Sequence, residues 1–216
     1  MFGSSKKMMR GQFFSFDVLA GAFIFIIAFF LLAFYWLNAQ ALFAQQELGD
    51  TQREAERVAD QLTTVGPGGD WYETYENHPQ KNDRSKLLDY YYEVDYIHLV
   101  SDASTPNEIG VDLMKDLNAM SGVDNGRFYP GVKEKLGIPR YEVYITIENS
   151  GGTVLSCQYS RPGLSGPFDC EAGRDPTAEG SGAMEIANAE RIVLIDRNPG
   201  DSAPHELAKL RVQVWR

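Results

Sequence analysis

Hydrophobic positions fall into distinct regimes along the chain. Residues 18–37 form an unbroken apolar run of twenty, with no charge and no amide. As a helix that run is about 30 Å long, enough to cross the hydrocarbon core of a bilayer. From 39 to 64 the pattern becomes amphipathic. Leu48, Ala55, Val58, Ala59 and Leu62 recur at helical spacing, and Glu47, Arg53, Glu54, Glu56, Arg57 and Asp60 supply a polar face. That stretch has no proline and a single glycine, Gly49, so one helix is predicted from about residue 13 to 64. The cluster VGPGG at 65–69 ends it.

Beyond residue 70 the pattern is that of a soluble domain. A Tyr-rich stretch at 90–96 leads into a predicted strand at 96–100. TPNE at 105–108 reads as a capping box with proline at the first helical position, and Ile109, Leu113, Leu117 and Met120 would line one face of the helix that follows. Ser121 and Gly122 would end it. A shorter helix is expected at 130–136, stopped by Gly137. Strands come next. Tyr141, Val143, Ile145 and Ile147 alternate on one face of 141–148, NSGG at 149–152 signals a hairpin, and 153–159 returns. Residues 191–195 and 210–215 read as two more strands. The prediction is an α+β fold: a long N-terminal transmembrane and stem helix, packed on a head with an antiparallel sheet and one or two short helices.

Charge orients this plan. The formal net charge is −10, yet the first eleven residues hold Lys6, Lys7 and Arg10 and no acid. The remainder carries 17 basic and 30 acidic residues, a poor match to a phosphate backbone, so nucleic acid is excluded as a partner. No cation follows the apolar run until Arg53, which by the positive-inside rule puts the N-terminus in the cytoplasm and the head outside. Tyr35 and Trp36 stand where an interfacial aromatic pair would sit. A cleaved secretory signal is the nearest competitor, but its apolar core would be shorter, and here the sequence runs on into more helix former.

Two cysteines, Cys157 and Cys170, have twelve residues between them. In an external domain a disulfide is the expected state, worth about 2–4 kcal/mol; two free thiols are the alternative. The second cysteine follows a predicted turn, RPGLSGP at 161–167, and 171–187 reads as an exposed loop rich in Gly, Ala and acid. Catalytic patterns are missing from the sequence. His78, His98 and His205 are far apart, and Ser101 and Asp102 near His98 are too little for a triad. VDNGR at 123–127 resembles part of a calcium loop without its later ligands and reads better as a turn. No enzyme activity, cofactor or metal is implied.

The N-terminus carries one further signal. Arg10-Gly11-Gln12 before an aromatic and apolar helix resembles the class III signal of archaeal type IV pilins and pilin-like proteins. GPGGDW at 66–71, LGIPRYEVY at 136–144 and a last strand ending in Trp215 are similar to features of the same family. The resemblance implies cleavage by a prepilin peptidase between Gly11 and Gln12, on the cytoplasmic side. It implies a 1–11 leader, a 12–37 membrane and assembly helix, a 38–65 stem and a 66–216 head. Other pilin subunits and membrane lipid would be the partners. The acid of the family pattern is a glutamate at the fifth mature position; here it is Asp17, the sixth after a cut at Gly11. Its implied role is to pair with the new amine of a neighbouring subunit. The alternative is a carboxylate at headgroup level that stabilises the helix start through its dipole. The larger head favours a minor pilin or pseudopilin. The rival reading is an uncleaved, single-span anchor for an extracytoplasmic binding or adhesion domain.

Overall fold

A computed structural model describes residues 8–64, 96–100, 105, 107–122, 129–161, 164–178, 180–183, 185–195 and 205–216. The chain divides into two compact units, Met1–Glu47 and Leu48–Arg216. The long predicted helix is present as α1, Met8–Thr63. The second unit contains its C-terminal part, whose apolar stripe of Ala55, Val58, Ala59 and Leu62 is fully buried. Thr63 folds its hydroxyl back onto the carbonyl of Ala59 at 2.9 Å, and Leu99 N–H takes the carbonyl of Leu62 at 2.9 Å. The second of these bonds occupies an acceptor that a helix C-terminus leaves open.

The other elements are β1 (Glu108–Ile109), α2 (Val111–Gly122), α3 (Tyr129–Lys135), β2 (Glu142–Glu148), β3 (Ser156–Arg161), β4 (Leu164–Asp169), β5 (Glu171–Gly173), β6 (Ile186–Ile195) and β7 (Glu206–Trp215). Five strands form one sheet in the order β1-β6-β7-β2-β5, and β3 and β4 form a second, two-stranded sheet. The fold is α+β, as the pattern predicts, but the sheet is mixed: β1 runs parallel to β6 while the other pairs are antiparallel. Alternation puts Val143, Ile145 and Ile147 of β2, Leu210, Val212 and Val214 of β7 and Ala187, Ala189, Val193 and Ile195 of β6 into one core. The same core holds the α1 stripe, with Leu113, Met114 and Leu117 of α2 and Val132 of α3.

Several local expectations are overturned by pairing between distant segments. TPNE does not start a helix. Glu108 N–H bonds the carbonyl of Thr105 at 3.1 Å in a turn, Asn107 takes a positive φ of 69°, and Leu194 N–H bonds the carbonyl of Asn107 at 2.9 Å. The pull of β6 and the burial of Ile109 draw 108–109 into a strand, and the helix starts at Val111. Residues 96–99 are not a strand; Val100 makes one bridge to Ile109. NSGG turns as expected, but after the bridge between Glu148 and Val154 the returning chain leaves the sheet to form β3. The predicted turn at 161–167 is mostly strand β4, and 171–187 begins with β5 and ends with the start of β6. Pro167, opposite Gln158, fits that strand because its missing N–H falls at a position facing away from the partner.

Two glycines are required where they stand. Gly173 has a φ of 96°, and a Cβ there would lie 2.2 Å from the carbonyl oxygen of Val143. Gly137, φ 72°, ends α3 in a Schellman motif: its N–H bonds the carbonyl of Glu134 at 2.9 Å, and Ile138 N–H bonds that of Lys133 at 2.8 Å.

The sheet edges are covered. β6 meets β1 only at Leu194 and Ile195. Lower down, Gln52 Nε2 on α1 donates to the carbonyl of Asn188 at 3.0 Å, and Arg191 Nη2 lies 2.7 Å from Asp60 Oδ1. At the other edge Gly173 N–H donates to Ser121 Oγ on α2 at 3.0 Å. Covered edges resist pairing with foreign strands.

Candidate functional site

The feature least explained by the fold itself is the surface of α1 between Phe16 and Leu48. Ala, Leu, Ile and Phe dominate here, with one glycine, Gly21, and no proline, so the helix continues without interruption. Its large side chains are outside: Phe16, Phe25, Phe30, Trp36 and Phe43 are each 65 % exposed or more. One helix, searched over Phe16–Thr63, is long and apolar enough to cross a membrane, and none of its most apolar window is buried. An apolar surface of this extent marks a contact with lipid or with another protein.

The sequence-predicted residues of this region are placed as follows. Gly11 and Gln12 lie within the first turn and a half of α1, and Asp17 is exposed on it. Gln12 and Asp17 are five residues apart, so a helix separates them by about 7.5 Å along its axis. The 1–7 part of the predicted leader, GPGGDW at 66–71, His78 and the Tyr-rich 90–95 lie outside the described residues. So do Ser101, Asp102 and VDNGR at 123–127.

In the head, Cys157 and Cys170 form a disulfide with Cα atoms 5.8 Å apart, and both are fully buried. It sits beside a closed ring of backbone bonds. Leu155 N–H bonds the carbonyl of Ile147 at 2.8 Å, Cys170 N–H that of Leu155 at 2.9 Å, and Ile147 N–H that of Cys170 at 2.8 Å. Bridge and ring together join the β3–β4 pair to the main sheet.

The titratable groups of the head have structural surroundings. His98 is buried, with Nδ1 3.0 Å from the carbonyl oxygen of Val100. His205 Nε2 is 3.3 Å from Glu108 Oε1, a neighbour the spacing did not reveal. Tyr129 brackets Val143: its hydroxyl donates to the Val143 carbonyl at 2.9 Å and accepts the Val143 N–H at 2.8 Å. Burial pushes that phenol well above its usual range, against the backbone bond to Val143. Tyr144 donates to Glu171, and burial and then that carboxylate raise its phenol too. Among the described residues no group of three His, Cys, Asp or Glu could hold a metal.

Strand register exposes two further features on the outward sheet face. Glu148, nearly buried, contacts Lys209 at 3.4 Å and Arg211 at 3.1 Å, and Glu190 reaches the same two cations at 3.1 Å each. The hydrogen bond from Lys209 leads the effects that lower the Glu190 carboxyl below its usual range. Beside this network lies an apolar group. Leu194 and Leu207 are cross-strand partners and Ile192 shares their face; Ile192 and Leu207 are each 67 % exposed. Nothing local in the sequence marks either feature, because each is assembled across strands.

No protein-family model, no curated protein and no solved structure matches the chain.

Proposed function

We propose that the protein is a pilin-like structural subunit, a minor pilin or pseudopilin. In this reading α1 spans the membrane, with the N-terminus in the cytoplasm and the head outside. A prepilin peptidase cuts between Gly11 and Gln12, and the processed helix assembles with other pilin subunits into a filament or related complex. Asp17 pairs there with the new amine of a neighbouring subunit, an arrangement that offsets the cost of a carboxylate at the end of an apolar span. The reading invokes no catalytic residue, cofactor or metal.

The observation that carries it is the exposed apolar surface from Phe16 to Leu48, entered directly from Arg10-Gly11-Gln12. It extends beyond the twenty residues a bilayer needs, which leaves room for protein contact as well as lipid. The test is N-terminal sequencing of the membrane-extracted protein. A start at Gln12 supports processing.

A second reading is an uncleaved anchor for an external binding domain. The exposed group of Ile192, Leu194 and Leu207 favours it, since it is an apolar surface on the head itself. An intact Met1 in the extracted protein would decide for this reading.

A further inference from the structure

On the outward face of β6 and β7, register sets Glu190 beside Arg211, Ile192 beside Lys209 and Leu194 beside Leu207. Ile192 and Leu207 stand largely clear of the sheet, and Leu194 and the Glu190 side chain are exposed as well. Lys209 and Arg211 share Glu148 and Glu190, so two cations meet two carboxylates and the network is balanced. The face has a direction. Gln52 reaches Asn188, and Asp60 reaches Arg191. Eight residues of helix, about 12 Å, thus run beside three residues of strand, about 10 Å, in the same sense. The apolar group lies past Arg191, toward the C-terminal end of α1.

We propose that this end of the β6–β7 face packs on the same face of a second copy of this chain, about a two-fold axis that runs along the strands. Such an axis, placed between β6 and β7, sets β6 of one copy over β7 of the other. Glu190 then faces Arg211 of the second copy, Ile192 faces its Lys209, and Leu194 faces its Leu207. The contact is the same patch on both copies, as a two-fold pair demands. The axis also lies along the head's part of α1, so both helices leave the pair on the same side. Two copies in one membrane need that arrangement, and only this setting rests on reading α1 as a membrane span.

Charge selects the copy as the occupant. A partner of one sign would set either the cations or the carboxylates against their like. A wholly apolar partner would strip water from the ion pairs and give no bond in return. A copy brings both signs in the order required, with apolar side chains opposite the apolar pair. Size says where the contact forms. Three aliphatic side chains are small against the roughly 800 Å² that a stable complex buries per partner. Copies anchored in one membrane meet at a higher effective concentration than free heads, which offsets a small contact. Trp215, at the other end of the face, is already covered, so the two sheets meet at the apolar end and diverge toward the other.

The test is oxidative cross-linking between two differently tagged forms of the full-length protein, co-expressed and kept in their native membranes. One form carries Leu194→Cys and the other Leu207→Cys. The natural cysteines are paired and fully buried, so they do not compete. The control joins Leu194→Cys with Arg53→Cys, because Arg53 is exposed on α1, which packs on the opposite face of the sheet. Dimers bearing both tags are expected several-fold above the control. Equal yields in the two pairings overturn the proposal. Absence of such dimers while both forms stay in the membrane fraction also overturns it and leaves the face to a different partner. Recovery in the soluble fraction removes the membrane setting and the proposal with it. N-terminal sequencing of the same samples keeps the pairing apart from processing. Dimers with an intact Met1 sustain the pairing without the processed subunit. A start at Gln12 without dimers does the reverse.

Discussion

Arg57 Nη2 on α1 donates to the carbonyl oxygen of Leu136 at 2.6 Å. Leu136 immediately follows α3, so a cation meets the negative end of a helix and occupies one of its open carbonyls. The guanidinium is held from the other side by Glu54 Oε2, 2.8 Å from Nε. Gln61 adds bonds at 3.2 Å to the carbonyls of Lys135 and Ile97. Stem and head are thereby joined by directed bonds as well as by apolar packing.

Replacing Arg57 tests that junction. Arg57→Ala leaves the Leu136 carbonyl without this donor and removes the stem's guanidinium from the end of α3. A loss of about 1.5–3 kcal/mol is expected, the range for a hydrogen bond made by a charged group. Arg57→Lys restores charge without the planar fork and should recover only part of it. Denaturant unfolding of the detergent-solubilised protein, followed by tryptophan fluorescence, reads both. Unchanged midpoints in both variants would show that the bond contributes nothing.

The disulfide makes a second prediction. Cys157→Ala with Cys170→Ala should lower head stability by about 2–4 kcal/mol, from the entropy that a closed loop removes from the unfolded chain. Both sulfurs are fully buried, so reductant should act slowly on the folded protein and quickly once denaturant is added. Thiol counting after timed reduction checks this. Rapid reduction in native buffer would contradict the buried placement.

Tyr129 predicts an alkaline limit. Its phenol is raised in the folded state, chiefly by burial. A raised acid stays protonated in the fold while its unfolded counterpart ionises. The stabilisation is therefore complete below the ordinary tyrosine value of about 10 and is lost as pH rises through the folded value. Tyr129→Phe removes this pH dependence but also leaves the Val143 N–H without its bond to the hydroxyl, at a cost of about 1–3 kcal/mol at neutral pH. Stability measured across the alkaline range should fall more gently in Tyr129→Phe than in the parent. Parallel curves would rule the role out.

How far these features were legible depends on the range of the interaction. α1 could be read because twenty apolar residues and a breaker are local facts. β2 could be read because Val143, Ile145 and Ile147 alternate, and α3 because Gly137 stops it. TPNE misled because a capping signal competes with strand pairing, and the pairing of Asn107 with Leu194 prevailed. The start of β6 was missed because Ala187 and Ala189 bury little apolar area and give a weak alternation, although both reach the core. Among candidate sites, the apolar helix and Asp17 were visible as residues. The Glu148–Lys209–Arg211–Glu190 network and the Leu194–Leu207 pair were not, since both depend on register.

Asp17 gives the most direct test of the proposed assembly. It is the one acid between the N-terminal cations and Glu47, and it adjoins the apolar run. If it served only as a headgroup-level charge, Asp17→Asn would keep a polar side chain at that depth and alter little. If it pairs with a neighbouring subunit's amine, loss of the charge removes the partner of a cation in a low-dielectric contact. Such a loss costs several times more than at an exposed surface. Asp17→Ala and Asp17→Asn are therefore both expected to insert and to be processed at the level of the parent, yet to yield few or no filaments. Asp17→Glu, which keeps the charge, should recover part of the assembly. Membrane fractionation, N-terminal sequencing and filament counts by electron microscopy on the same cells check the three steps separately. Normal filament numbers in Asp17→Ala would remove the residue from the assembly contact and leave the headgroup role.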